Sequence, residues 1–324
     1  MSLSGKAPVI AAAGQWFAGM ALPDEAAVGW SGGADSTALL LALHTAGCRV
    51  QAWHIDHGWR DNSAEEAAFL AGQAAAWGIP FFHARLPVAP AANMEAAARK
   101  GRLAQFAAWR RQQGVDVLCL GHHREDQAET VCMRMLQGAG VSGCRGMRAR
   151  HSLDGLNILR PLLHVPRRHL RAALCEAGVS WLEDVSNRDM RFMRNRIRHH
   201  LFPCMCAAGY DPVELYLRWQ RQAGRLTEEI EAEMAGINIT RDRAGVSVPW
   251  PDWIKCPAAV RARLLQGMMA ALCGEGVVPG RRHILLVERW TAGGGRGGLD
   301  LSRCRLERRK GRLHLESAPP HSHR

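Results

Sequence analysis

Ser31-Gly32-Gly33-Ala34-Asp35-Ser36 follows a short apolar run, Ala26–Trp30, and leads directly into a second apolar run, Thr37–Thr45. The first run reads as a β-strand and the second as a helix, so the hexapeptide is a strand-to-helix turn. Two adjacent glycines let the backbone turn tightly and aim its N–H groups outward at the helix N-terminus, where anions are favoured. Ser31 and Ser36 add hydroxyl donors. The hexapeptide therefore reads as a phosphate cradle. A serine- or aspartate-capped glycine turn is the plain alternative; strand before, helix after and two flanking serines favour phosphate. No lysine follows Gly33, which separates the loop from the Gly-x-x-x-x-Gly-Lys-Ser/Thr pattern.

The alternation continues outward from this turn. Arg49–Ile55, Phe81–Arg85 and Val115–Leu120 read as strands; Asn62–Trp77, Asn93–Gln113 and Glu125–Gln137 read as helices. Strands joined by helices of this length imply an α/β fold: a parallel sheet with helices on both faces, whose ligands bind beyond the carboxyl ends of the strands. Upstream, Pro8–Met20 reads as an amphipathic helix. Past Gly138 the pattern changes. Gly138–Met147 reads as a glycine-rich loop, Pro166–Glu176 as a short helix, Arg191–His200 as an arginine-dense helix ended by Pro203, and Val213–Met234 as a long helix. Val246–Trp250, Ala258–Leu272, Arg282–Trp290 and the stretch around Leu313–Leu315 suggest a small α+β domain. The expected organisation is a catalytic domain over residues 1–205, a helical linker over 206–237 and a small domain over 238–324.

The chain has 324 residues, 47% of them apolar, enough to bury a core, and its net charge of +12 points to a polyanionic partner. No apolar run is long enough to span a membrane. The ten cysteines include no Cys-x-x-Cys; the nearest pair is Cys204-Met205-Cys206, so zinc ribbons, thioredoxin chemistry and cysteine-held clusters are disfavoured and a reducing, cytoplasmic setting is expected. Gly138–Gly143 fits Gly-x-Gly-x-x-Gly but follows a helix rather than a strand, so it fails as a dinucleotide loop. His54-x-Asp56-His57 lacks the first histidine of a metallohydrolase motif, since position 52 is alanine, and no protein-held metal site is expected.

Asp126 and Glu129 lie three apart on the helix after the fourth strand and share a face, where they would suit an ammonium group or magnesium; a solvated helix N-terminus favours acids as well. His122 and His123 sit at that strand's end, where hydrogen bonds to backbone or to a nucleotide are the expected role. Arg99 lies on a long helix and could pair with a carboxylate or a phosphate. Arg191, Arg194 and Arg198 share a helical face, and with Arg167, Arg168, Arg171 and other arginines, interleaved with Trp181, Phe192 and His199, they are expected to meet RNA phosphates. The alternative for the helix is that its arginines brace it through internal carboxylates such as Asp184.

The loop resembles the PP-loop of N-type ATP pyrophosphatases, which cleave ATP to AMP and pyrophosphate. Four further blocks resemble one branch, the tRNA(Ile)-lysidine synthetases. They are His54-Ile55-Asp56-His57-Gly58-Trp59-Arg60, Asn93-Met94-Glu95-Ala96-Ala97-Ala98-Arg99, Gly121-His122-His123-Arg124-Glu125-Asp126-Gln127-Ala128-Glu129-Thr130, and Asp184-Val185-Ser186-Asn187 with Arg194-Asn195-Arg196-Ile197-Arg198. The resemblance covers residues 26–203 and is weak beyond 205. Glu125, Val185 and Leu103 depart from it, where an aspartate, a proline and an aromatic are usual.

The resemblance implies ATP on Ser31, Gly32, Gly33, Ala34, Asp35, Ser36, Asp56 and His122, with magnesium near Asp35 or Asp56. It implies free L-lysine held by Asp126, Glu129 and Arg99, and tRNA(Ile) with a CAU anticodon as substrate. Asp35, Asp126 and Glu129 are the candidate bases for the lysine amine, unranked among themselves. The small C-terminal domain would bind tRNA or substrate, and a homodimer stays open. The alternatives are another tRNA-modifying PP-loop enzyme such as a cytidine thiolase, or a non-catalytic basic RNA-binding protein.

Overall fold

The computed structural model describes residues 7–56, 63–87, 94–153, 155–183, 189–242, 245–274, 277–301 and 304–317, excepting the side chains of 94–99. The chain divides into two compact units, Met1–Gln222 and Ala223–Arg324.

In the first unit the elements run α1 (Ala13–Trp16), β1 (Glu25–Gly29), α2 (Ala34–Thr45), β2 (Arg49–Asp56), α3 (Ser63–Trp77), β3 (Phe81–Arg85), α4 (Met94–Gln113), β4 (Val117–Leu120), α5 (Arg124–Leu136), α6 (Val141–Cys144), β5 (Arg150–Leu153), β6 (Leu156–Leu159) and α7 (Arg167–Glu176). There follow α8 (Met193–Arg196), a π-turn at Ile197–Leu201, α9 (Phe202–Ala207) and α10 (Pro212–Ala235), within which the boundary between units falls. The sheet order is β3-β2-β1-β4-β6-β5, parallel throughout except for the antiparallel edge strand β5.

Alternation along β1 shows why the sheet is covered twice. Ala26 and Val28 face a core built with Leu39, Leu40, Leu43 and Leu70 from α2 and α3 and Leu170 and Leu174 from α7. Ala27, between them, faces Trp53, Phe106, Trp109 and Leu118, and so α4. A strand buried on both faces must be apolar without a break, as 26–28 is. Helix α2 is buried on nearly all sides, Ala38–Leu43 being fully shielded, which fits its position behind the central strand.

Several elements differ from the sequence reading. Only one helical turn forms in the stretch 8–20, because Gly14 and Gly19 weaken helix there; Trp16 buries itself from that turn, and Ile10 and Phe17 from the non-helical backbone on either side. A hairpin, β5–β6, forms where the sequence shows no strand pattern, since its four-residue strands are too short for alternation to show. Within Gly138–Met147 a turn of helix, α6, forms. The arginine-rich helix does not end at Pro203. It widens into the π-turn and continues as α9, with the proline in the first turn of α9, where a missing N–H is not needed.

In the second unit β7 (Thr240–Asp242), β8 (Gly245–Pro249), α11 (Trp250–Lys255), α12 (Ala258–Cys273), α13 (Arg281–Ala292), β9 (Gly298–Leu301), β10 (Cys304–Arg309) and β11 (Arg312–Ser317) form an antiparallel sheet, order β7-β8-β11-β10-β9. Val246, Val248, Leu306, Leu313 and Leu315 alternate onto one face and pack with Trp253, Leu264, Leu265, Met268 and Val287 of the helices. A mostly parallel α/β unit followed by a small α+β unit is the fold class the sequence implies. No helix among the described residues is long and apolar enough to cross a membrane.

Candidate active site

Gly29, the last residue of β1, pairs with Trp53 on one side and Leu120 on the other. The strands thus deliver the 30–36 turn and the Gly121-His122-His123 turn side by side at their carboxyl ends. Gly32 has φ +82°, left-handed and open to glycine, and its carbonyl accepts from the Leu182 N–H at 2.9 Å. Gly33 caps α2 in extended conformation. The two serines lock the turn: the Ser31 N–H donates to Ser36 Oγ at 3.2 Å, the two hydroxyl oxygens are 3.1 Å apart, and Ser36 Oγ donates to the Gly33 carbonyl at 3.1 Å. A Cβ at Gly121 would stand 3.0 Å from Asp35 O and Ser36 N, so only glycine lets β4 end this close to the loop.

His123 caps α5 and is 1% exposed, among three carboxylates. Its Nε2 lies 3.5 Å from Asp35 Oδ2 and 3.4 Å from Asp126 Oδ2, and its Nδ1 lies 3.0 Å from Glu125 Oε2. Burial lowers its pKa, but hydrogen bonds to Asp35 and Glu125 and the charge of Asp126 outweigh it and raise the pKa to about 9. The ring is therefore an imidazolium at neutral pH. The Asp126 N–H lies 3.4 Å from Nδ1, but a protonated Nδ1 has no lone pair to accept it. The cap rests instead on the Asp126 carboxylate, which accepts from the His123 N–H at 3.0 Å. Glu125 also accepts from the Arg167 N–H at 2.9 Å; burial opposes its ionisation, but His123 and that N–H hold its pKa low.

Adjacent His122 behaves oppositely. Burial, joined by Arg160, Arg194 and Arg102 and opposed by Asp126, lowers its pKa to about 4, so this ring is neutral. Its Nδ1 is buried without a hydrogen bond.

Asp126 and Glu129 share a face of α5, as their spacing implies. Glu129 is 2% exposed. Arg198 Nε and Nη2 donate to its two oxygens at 2.7 and 2.8 Å, and Arg194 Nε donates at 2.9 Å. Arg194 also donates to the Asp126 carbonyl and Thr130 Oγ1, and Arg198 reaches Asp126 Oδ1 at 3.2 Å. Asp126 is held below the usual carboxylate range: burial pushes it up, and His123, Arg194 and His122 pull it further down. Arg194 and Arg198, expected to meet tRNA phosphates, thus point at carboxylates of this cluster. Exposed Arg191 pairs with Asp189 at 2.7 Å.

The site opens into a cavity of about 450 Å³. Its wall contains Ser31, Gly33, Ala34, Asp35, Ser36, Asp56 and His122 from the expected nucleotide set. Asp126 and Glu129 are absent from that wall, and the side chain of Arg99 lies outside the described residues, as do positions 57–60 and 184–188. Arg167 and Arg171, expected on an RNA-facing surface, line it instead, as do Arg102 and Arg160, which the sequence reading does not place at the site. Arg102 follows Arg99 by one helical turn, a signal the sequence carried. Arg167 is brought in only by the packing of α7, with its Nε 3.7 Å from Asp35 Oδ1.

A phosphate-cradling turn between strand and helix, at the carboxyl edge of a parallel sheet and open to a cavity, defines an ATP-binding domain of the PP-loop class, and the model of the PP-loop domain matches residues 14–205. The chain is 35% identical over 261 residues to the tRNA(Ile)-lysidine synthase of Bordetella bronchiseptica, covering 77% of this chain and 76% of that protein. It is 34% identical over 223 residues to that of Chlamydia felis (64% and 70%) and 36% identical over 244 residues to that of Pseudomonas fluorescens (73% and 54%). The chain belongs to the tRNA(Ile)-lysidine synthase family, whose members are ligase-type tRNA-modifying enzymes. The aligned stretches span from about half to about three quarters of these relatives' lengths. Among solved structures, the U34-tRNA thiolase NcsA of Methanococcus maripaludis shares the fold, with a TM-score of 0.53 and 12% identity over 65% of this chain and 77% of that one.

Proposed function

We propose that the protein joins free L-lysine to the 2-position of the wobble cytidine of tRNA(Ile) bearing a CAU anticodon, in the cytoplasm, at the expense of ATP. The observation that carries this reading is Asp35. It belongs to the phosphate loop, lines the cavity and lies 3.5 Å from His123, which in turn meets Asp126. Nucleotide loop and acid cluster thus form one continuous site.

In the first step the cytidine O2 attacks the α-phosphorus of ATP and pyrophosphate leaves. Backbone N–H groups of the Ser31–Ser36 turn hold the phosphates, and Arg167 and Arg171 in the wall oppose their charge. In the second step the lysine ε-nitrogen attacks C2 and AMP departs with O2. A free ε-ammonium has a pKa of about 10.4, so it must first give up a proton to a nearby base. Among the wall residues able to accept it, Asp35 and neutral His122 stand at the carboxyl ends of the two central strands β1 and β4. Asp126 and Glu129, paired with Arg194, Arg198 and His123, lie behind the wall and brace it, with Arg99 the expected partner of the lysine carboxylate.

The residues also fit magnesium. Asp35 and Asp56 are oxygen donors in the same wall, and Asp35 Oδ1 is buried without a hydrogen bond. Magnesium takes one or two carboxylates and completes its shell with phosphate and water, where it would neutralise phosphate charge. Exposed Arg191 and the Ala223–Arg324 unit are the parts we assign to tRNA.

The test is to incubate the protein with ATP, labelled lysine and bulk tRNA. Label entering RNA with matched AMP release is the expected result. AMP released in a tRNA-dependent way without label in RNA points to another PP-loop modification, and no AMP at all to a binding protein.

A further inference from the structure

Cys273 is the last residue of α12, and Cys304 the first of β10. They are 31 positions apart in the chain, yet their sulfurs stand 3.2 Å apart. Both are thiols here. A disulfide bond is about 2.05 Å long, so closure requires the sulfurs to approach by about 1 Å, within the reach of small side-chain rotations.

The backbones on either side are held by the core of the second unit. Cys304 is fully buried and pairs in register with Leu301 on β9 and Ser317 on β11. The helix ending in Cys273 is anchored by Leu264, Leu265, Met268 and Met269. Neither thiol can drift from the other without disturbing that core, so their juxtaposition is a property of the fold. Cys273 is the more accessible of the two. By contrast Cys204 and Cys206, neighbours in sequence and both exposed, sit two apart on α9 and project from different sides of the helix.

We propose that Cys273 and Cys304 are a redox-active pair that closes to a disulfide under a peroxide oxidant and reopens under a dithiol. The Cys273 sulfur attacks one peroxide oxygen, the O–O bond breaks, water leaves and a sulfenic acid remains. The Cys304 thiol then attacks that sulfur, the S–O bond breaks, and a second water leaves as the S–S bond forms. Two thiols lose two electrons and two protons in total, and one peroxide is reduced to two waters. The bridge closes the segment that carries α13 and β9. It restricts the unfolded chain and so stabilises the second unit.

The test uses the full chain, treated with hydrogen peroxide at near-stoichiometric amounts, then denatured, alkylated and digested without reduction. The expected result is a peptide linking Cys273 to Cys304, lost on dithiothreitol treatment. It is accompanied by a rise of at least about 5 °C in the melting of the oxidised protein. The variant C273S, changed at the more accessible member, should form neither the link nor the shift. Three results would each overturn the proposal: both positions still fully alkylated after Cys204 and Cys206 have been consumed, oxidation of Cys273 to a sulfinic acid with Cys304 still alkylated, or a mapped link that leaves the melting temperature unchanged.

Discussion

Arg198 holds Glu129 through two parallel hydrogen bonds, Nε to Oε1 at 2.7 Å and Nη2 to Oε2 at 2.8 Å, across 69 positions of chain. The pair ties α5 to the π-turn, and with Arg194 it supplies a buried carboxylate with three charge-assisted donors. That arrangement makes the arginine-rich segment a structural partner of the acid cluster.

Arg198→Ala should therefore lower stability by about 3–5 kcal/mol, since it leaves a buried carboxylate short of its main partner. Arg198→Lys, which keeps charge but loses the fork, should fall between. Thermal melting checks both, and the salt dependence of tRNA binding should be unchanged. Normal melting with a flatter salt slope would instead assign Arg198 to RNA phosphate.

Replacing Asp35 or Ser36 with alanine should reduce AMP formation by on the order of a hundredfold while the fold persists, because each supports the loop that orients the phosphates. AMP release measured beside circular dichroism separates the two effects. Near-normal release in both variants would remove the loop from the reaction.

Gly121→Ala should weaken ATP use although it replaces no residue of the phosphate loop. The added Cβ would lie 3.0 Å from Asp35 O and Ser36 N, so the loop or β4 must shift. Overpacking of this kind costs about 1–3 kcal/mol. We expect KM for ATP to rise about tenfold, and an unchanged KM would show that the two turns move apart freely.

His123 predicts an alkaline limb of stability. Its folded pKa is raised to about 9, so its contribution is complete below about 6.5, its ordinary value, and is lost as pH rises through 9. The contribution is on the order of 3 kcal/mol. His123→Asn should be destabilised near pH 6 and should flatten the fall between pH 7 and 9.5 in chemical denaturation. A parallel fall in variant and parent would show that the ring is not charged.

His122 predicts the acid limb. Its folded pKa is lowered to about 4, so stability is complete above about 6.5 and is lost as pH falls toward 4, when the unfolded chain binds the proton more readily. His122→Asn should flatten that limb. An unchanged slope would place the loss on other groups.

The run from Ala26 to Ser36 carries its own reading in the sequence. Unbroken apolar residues, two glycines and two serines leave little besides a buried strand, a tight turn and an anion-binding helix start. The order of strands and helices up to α5 is local information of the same kind, since periodicity and breakers lie within a few residues of one another. The face shared by Asp126 and Glu129 is legible for that reason as well. What meets that face is not. Arg194 and Arg198 read as an RNA-facing stripe with a structural brace as the alternative, because a helix of arginines looks the same whether its partner is water, phosphate or a buried carboxylate 65 or more positions away. The opposite charge states of His122 and His123 are equally invisible in the sequence: both rings are buried, and only the fold decides that His123 gains carboxylate partners to outweigh burial while His122 does not. Arg167 beside Asp35 and Cys273 against Cys304 belong with them. Chain-local patterns chose the elements, and only packing decided which charges and sulfurs stand together.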